Sequence, residues 1–507
     1  MAVLSMRLVF AGLLLGAFAG VQAALLPSKS DAVESTVLHE RRAIEFYLPE
    51  EAQKDLAHRF ETLYVLDGDW NSKLVVDVVQ FMRQLGLMPP IILVSVPNHF
   101  DAQGANSRDR DFTPSLVADQ PRSGGAANFL RFLKTELLPY VDQHYPANRV
   151  HLVHGHSLGG LFLMYALATD PSVFDGYVSL DPAMVWDNRV LDPLLSKRIP
   201  SLPVKGKAIF IAGRAGEGYS QQGLGDLESI LRSQGKPTLH WKMTAYEDES
   251  HDSLKLKATY DGLKFLYGGF TQDPVEIFPS SGVVVPGRPM QILVSWHRSP
   301  NLHYTTDGSE PGESSPEVQG GAFSIADPRK FRLRLLSHRG VFDREIPLAL
   351  RAGEPFAPEA GPRPGAVDAA WHYALFPPEA WPRLEAGNPF AQGQSAKELD
   401  SGTHATKRFA GKVQREIEVP EEGYYVFVVR ADQVRLSLGQ NLLIENDGTH
   451  GSGMQAYVAP LQRGRYALSL EFMKANQNSE VLLAVMRSSD DLPEWWKGSP
   501  WLELKAR

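Results

Sequence analysis

Residues 150–162 read Val150-His151-Leu152-Val153-His154-Gly155-His156-Ser157-Leu158-Gly159-Gly160-Leu161-Phe162. The opening residues are β-formers, as in a short buried strand. The closing ones, continued through Tyr165 and Ala166 to about Thr169, have the spacing of an amphipathic helix. Between them Gly155 and Gly159 bracket Ser157 as G-x-S-x-G, and strand–turn–helix is the setting in which that motif carries chemistry. Glycines two before and two after the serine leave nothing to block a sharp turn. The turn lifts the Ser157 hydroxyl above the strand end. A helix starting at Leu158 aims unpaired N–H groups at the same spot. A nucleophile and one oxyanion donor, the Leu158 N–H, thus come from one piece of backbone.

Around this stretch, from about Leu26 to Gly269, strand and helix patterns alternate. Strands are expected at 43–48, as an edge strand, and at 60–66, 90–96, 177–180, 207–212 and 239–244. Helices are expected at 74–85, at 127–144 with a break at Pro139, and at 252–267. That alternation predicts an α/β fold, a mostly parallel sheet with helices on both faces. After Gly269 helical periodicity gives way to short alternating runs between Pro, Gly, Ser and Asn, so the second half reads as all-β. Residues 271–350 have the spacing of a small β-sandwich. Residues 351–366 are Pro/Gly/Ala-rich and read as a linker, 367–490 as a second sandwich, and 491–507 as a tail.

At 507 residues the chain is long enough for several domains. A net charge of −8 argues against a nucleic-acid binder. There is no cysteine, which excludes disulfides and thiolate metal sites, and no His/Asp cluster has ligand spacing. No metal or organic cofactor is therefore expected. Arg7, the apolar run Leu8–Ala19 and the small residues up to Ala23 read as a secretory signal covering 1–23. No later stretch is apolar enough to cross a bilayer, so the mature chain is expected to be secreted or periplasmic.

Six pieces of the first half occur in an order and spacing that resemble the esterase branch of the α/β-hydrolases. That branch contains esterase D-like enzymes, feruloyl and acetyl-xylan esterases, and siderophore esterases. The pieces are Tyr64–Gly68, Asn106–Pro114, Glu136–Val141, Gly155–Gly160, Val185–Asn188 and Glu249–Ser253. Tyr304-Thr305-Thr306-Asp307-Gly308-Ser309-Glu310-Pro311 is similar to the signature of the sandwich that trails chitobiase-type glycosidases. The strand order from Phe409 to Phe472 resembles a PA14-type sandwich, except that Ala431-Asp432-Gln433 stands where the family has Asp-Asp-Gly, which weighs against a calcium-assisted sugar site.

A serine hydroxyl needs an adjacent base, and in this fold the base comes from the loop after the last strand. His251 stands there, and the resemblance puts the family's last motif on it. His99, His154 and His156 lie at positions less suited to the task. The carboxylate that orients the base should follow the strand at 207–212. The resemblance favours Glu217, leaving Asp226, Asp187 or a Ser–His dyad as alternatives. It also implies a second oxyanion donor near Asp69 or Trp70, and Arg108 and Trp186 as substrate contacts beside an ion-pair knot of Arg108, Arg110 and Asp111.

The expected function is a serine esterase that removes acetyl or feruloyl groups from carbohydrate, with possible sugar stacking on Trp371, Trp381, Trp495, Trp496 or Trp501. Two rivals stand beside it. A siderophore esterase would gather Arg108, Arg122 and Arg214 near Ser157. A non-catalytic glycan- or protein-binding protein would use the same scaffold without hydrolysis.

Overall fold

The structure, a computed structural model, describes residues 28–203, 205–272, 275–295, 301–319, 321–359, 372–394, 408–448, 454–475, 481–488 and 503–506. The expected leader, residues 360–366 of the expected linker, and Trp371, Trp495, Trp496 and Trp501 lie outside them. The chain divides into two compact units. One takes the chain up to Pro274 together with Ser337–Asp343, and the other takes Val275–Leu336 and the chain from Arg344.

The first unit is an eight-stranded sheet. Its strands are β1 (Lys29–Ser35), β2 (Glu40–Tyr47), β3 (Phe60–Leu66), β4 (Ile91–Val96), β5 (Ala147–His156), β6 (Gly176–Leu180), β7 (Ala208–Arg214) and β8 (His240–Tyr246). Their order is β1-β2-β4-β3-β5-β6-β7-β8. β1, β2 and β4 pair antiparallel, and from β4 to β8 every pairing is parallel. The strand expected at 43–48 is therefore second from the edge, with β1 outside it. The central strands read as unbroken apolar runs because both faces are buried. Tyr64, Val153, Tyr177 and Ile209 face one core, and Leu63, Leu152, Val178 and Phe210 face the other. Helices α1 (Gly68–Gln84) and α4 (Leu254–Leu266) cover the second face, and α2 (Leu158–Thr169) and α3 (Leu224–Gln234) the first.

Two helix expectations change. The helix after Ser157 is not amphipathic: only Leu158, Tyr165 and Thr169 reach even partial exposure, so it is a core helix. The helix at 126–144 also runs through Pro139. A π-helical turn at Leu133–Leu137 precedes the proline and widens the hydrogen-bond ladder where the missing N–H would otherwise break it.

Ser337–Asp343 comes from far along the chain, yet it is part of this unit. Arg339 is fully buried and donates to both Glu61 carboxylate oxygens, at 2.9 and 2.7 Å, and to the Leu266 carbonyl at 3.2 Å. The Tyr267 hydroxyl donates to Glu61 Oε2 at 2.9 Å, and the guanidinium lies 5.1 Å from the Tyr267 ring centre. A buried carboxylate in such a place needs a cation. The segment expected to end a spacer module supplies it.

The second unit is all-β, but its two expected sandwiches are not separate modules. Strands Ser281–Val284 and Ala349–Ala352, from the expected first sandwich and its end, lie in one six-stranded sheet with Gln455–Leu461, Gly423–Arg430 and Val481–Arg487 from the expected second. The expected linker starts inside this sheet, and Phe356 bridges to Leu461. Glu503–Ala506, in the expected tail, pairs with Val481–Arg487 as its last strand. The reason is visible in Gly423–Arg430. Tyr425, Phe427 and Val429 face one core, while Tyr424, Val426 and Val428 face another shared with Ile292 and Leu333. A strand apolar on both faces must be covered on both.

Candidate active site

The turn at Ser157 has φ 59° and ψ −117°, a region that non-glycine residues rarely occupy. Holding it costs on the order of 1–3 kcal/mol, and such strain gathers at functional sites. Gly155 permits the turn, since a Cβ there would stand 2.7 Å from the backbone of Gly159. The Ser157 N–H donates to the Leu180 carbonyl at 2.9 Å, locking the elbow to the end of β6. The Leu158 N–H has no acceptor among the described residues, as the first turn of a helix requires.

The residue after Leu180 is Asp181, fully buried, with φ 41°. His251 Nδ1–H donates to Asp181 Oδ2 at 2.6 Å. Arg214 Nε donates to the same oxygen at 2.7 Å, and the Arg214 backbone N–H reaches Oδ1 at 3.4 Å. Burial works to raise the Asp181 pKa, but the hydrogen bonds from His251 and Arg214 outweigh it and hold the carboxyl below its ordinary value. Gly213, beside this carboxylate, makes room for Leu224, since a Cβ there would lie 2.0 Å from Leu224 Cδ1. The carboxylate on His251 is therefore Asp181 and not Glu217. Glu217 opens a short helix after β7, is exposed, and makes no contact with His251. Asp226 pairs with Arg189, and Asp187 sits in the left-handed stretch Asp187–Arg189. The signal for Asp181 was a carboxylate standing first after a parallel strand, on the edge where sites gather in open α/β sheets.

His156 is a second residue that the sequence reading set aside. Its ring packs 4.3 Å from that of His251, and its Nε2–H donates to the His251 carbonyl at 2.7 Å. Burial, followed by the charge of His251, pushes His156 down to about 4, so it acts as a neutral donor. Through it the elbow holds the loop that carries the base.

On the other side of Ser157, Asp67 caps α1 with φ 50°. Gly68 is required there, since a Cβ would meet Ser95 Oγ at 2.2 Å. The Trp70 N–H donates to the Asp67 carbonyl at 2.9 Å and is not available to an oxyanion, which corrects one of the two expected donors. The Asp69 N–H has no acceptor among the described residues. Arg108 does not face open space either: Nε and Nη2 grip Asp67 at 2.8 and 3.0 Å, and Nη2 reaches the His156 carbonyl at 3.3 Å. The expected ion-pair knot is instead Arg110, Asp111, Arg42 and Glu40. Arg122 pairs with Asp101 and Arg214 with Asp181, so the three arginines that a siderophore reading would gather are each bound to a carboxylate.

Trp186 is half-buried, with its Nε1–H on Ser115 Oγ at 3.2 Å. It follows β6 on the same edge as the connections that carry Trp70, Phe100 and Leu116, which are 57%, 52% and 67% exposed. No group of three or more His, Cys, Asp or Glu residues able to hold a metal occurs among the described residues, and no described helix is long and apolar enough to cross a membrane.

Residues 35–214 match the family described as Putative esterase. The chain is 27% identical over 143 residues to the ferri-bacillibactin esterase BesA of Bacillus subtilis, covering 25% of this chain and 49% of that protein. It is 31% identical over 100 residues to a siderophore triacetylfusarinine C esterase of Aspergillus fumigatus, covering 19% and 34%. A crystal structure of an IroE-like serine hydrolase from Shewanella oneidensis is 28% identical, covers 49% of this chain and 82% of that one, and has a TM-score of 0.44. The chain spans about half or less of the curated relatives it matches. The residues that match this family model thus lie within the first unit.

Proposed function

We propose that this chain is a secreted or periplasmic serine carboxylic-ester hydrolase, with Ser157 as nucleophile, His251 as general base and Asp181 as the acid that orients it. The observation that carries the reading is the His251–Asp181 hydrogen bond of 2.6 Å beside a strained serine elbow. Ser157 would attack the ester carbonyl as His251 takes its proton. The tetrahedral oxyanion would rest on the N–H groups of Leu158 and Asp69. The alcohol would leave with the proton, and water would then repeat the cycle on the acyl-enzyme. Asp181, already ionised by its two donors, would stabilise the imidazolium formed in each half-reaction.

For the substrate, the exposed Trp70, Phe100 and Leu116 favour an aromatic acyl group such as feruloyl over acetyl. Carbohydrate as the alcohol side follows from the resemblance of the second half to chitobiase-type and PA14-type sandwiches and rests on that association alone. The second reading, a siderophore ester, is favoured by two relatives whose names specify siderophore esterases. Against it stands the pairing of Arg108, Arg122 and Arg214 with carboxylates, which leaves those three little charge for an anionic ligand.

The test is steady-state hydrolysis of p-nitrophenyl acetate, methyl ferulate and a catecholate trilactone by wild type and Ser157→Ala. The expected result is turnover that falls about a thousandfold or more in the variant, with methyl ferulate preferred to the acetate. Equal background rates in both proteins on all three esters would remove the reading.

A further inference from the structure

We infer that Arg108 is a positioning residue that fixes the two halves of the oxyanion hole relative to each other, and not a substrate contact. The inference rests on the ester-hydrolase reading and adds a role to it. The two proposed donors come from separate pieces of chain: Leu158 from the elbow after β5, and Asp69 from the first turn of α1 after β3. An oxyanion feels both only if their separation is held to a fraction of an ångström. The backbone around Asp69 is held from below by Asp67, which is buried, left-handed, and the cap of α1.

Arg108 closes the gap between the pieces. Its guanidinium meets the Asp67 carboxylate as a two-point fork, and the nitrogen that completes the fork also donates to the carbonyl of His156, the residue before Ser157. One planar group therefore touches the donor loop and the elbow at once, a geometry that lysine cannot reproduce. Asn98 extends the brace. Its Nδ2–H group donates to Asp67 Oδ1 at 2.9 Å and to Asp69 Oδ1 at 3.0 Å, while its backbone N–H reaches Asp69 Oδ1 at 3.1 Å. On the elbow side, a Cβ on Gly159 would lie 3.4 Å from Asp67 Oδ2, so Asp67 sits against the first turn of α2. Burial pushes the Asp67 carboxyl above its ordinary pKa while Arg108 pulls it down, so the charge of Asp67 depends on the arginine. The guanidinium also lies 5.4 Å from the Trp70 ring centre and 5.8 Å from that of Phe112, which fixes its plane.

The test compares full-length wild type, Arg108→Met, Arg108→Lys and Asp67→Asn. A fluorophosphonate that reacts with the serine counts the competent sites, so that unfolded protein does not enter the rate. The expected result is a kcat per titrated site that falls about 30- to 100-fold in Arg108→Met, with KM changed less than about threefold. Phenylboronic acid, whose tetrahedral adduct places an oxygen in the hole, should bind more weakly by a similar factor. Arg108→Lys should fail to restore either value, and Asp67→Asn should show the same pattern. A raised KM with unchanged kcat would make Arg108 a substrate contact and overturn the inference. So would a lowered melting temperature with unchanged kcat per site and unchanged boronate affinity. If Arg108→Met does not fold, Arg108→Lys and Asp67→Asn decide by the same readouts. A wild type that neither hydrolyses esters nor reacts with the fluorophosphonate would instead remove the ester-hydrolase reading itself.

Discussion

β6 and β7 are parallel neighbours, and each ends in a loop that offers a carboxylate to the same edge of the sheet. The loop after β6 begins with Asp181, which is sealed from solvent and takes hydrogen bonds from His251 and Arg214. The loop after β7 turns into a short helix that starts with Glu217 in solvent. By sequence position Glu217 was the better candidate. By environment it stands in solvent, without a side-chain hydrogen bond or ion pair among the described residues. The difference teaches that the partner of a catalytic histidine is selected by burial and by donors, which are tertiary properties.

The largest expected effect breaks the comparison outright. Asp181→Asn should lower kcat by about a thousand- to ten-thousandfold, since the amide no longer holds His251 in the needed tautomer; steady-state kinetics per titrated serine measures this. A second buried carboxylate sharpens the contrast by doing the opposite. Glu61→Ala strands the buried Arg339 and should cost about 3–5 kcal/mol of stability, read as a lower melting temperature, with activity per folded site unchanged.

Acid titration comes next. His154 and His156 are held at about 3 and about 4 by burial, below the ordinary 6.5. The unfolded chain therefore takes up their protons first. Their contribution to stability is complete above pH 6.5 and is lost as the pH falls through 6.5 towards 4, on the order of 3 kcal/mol for His156 alone. Asp181 acts in the same sense only at lower pH, because its stabilising contribution is lost as the pH falls below 3.8 through its depressed folded value. Melting temperatures between pH 7 and 4 should drop steeply, and a flat profile would contradict the burial of both rings. The smallest effect is the mirror of the first: Glu217→Gln should leave kcat within about twofold, like other exposed substitutions without partners.

The sequence made some of this legible and not the rest. The elbow could be read because strand, bracketing glycines and helix are contiguous, and His251 because its place after the last strand is a property of chain order. The parallel sheet could be read from doubly buried apolar runs. Asp181 escaped because the sequence reading places the acid after the strand at 207–212; its position directly after Leu180 gains meaning only when Arg214 and His251 close over it. His156 reads as an elbow residue pointing away from the site, whereas its partner lies 95 residues away. The joined architecture of the second unit was hidden for a similar reason. A Pro/Gly-rich stretch looks like a linker until Gly423–Arg430 is seen to need cover on both faces. Arg339 carries no local signal in the sequence, and only its distant partner Glu61 gives it a role.

The most direct test of the Ser157–His251–Asp181 reading is the downfield proton NMR signal of the His251 Nδ1–H, which requires no knowledge of the substrate. A strongly deshielded imidazole N–H resonance should be present in wild type, retained in Glu217→Gln and lost in both Asp181→Asn and His251→Gln. A resonance that survives Asp181→Asn and disappears in Glu217→Gln would contradict the account.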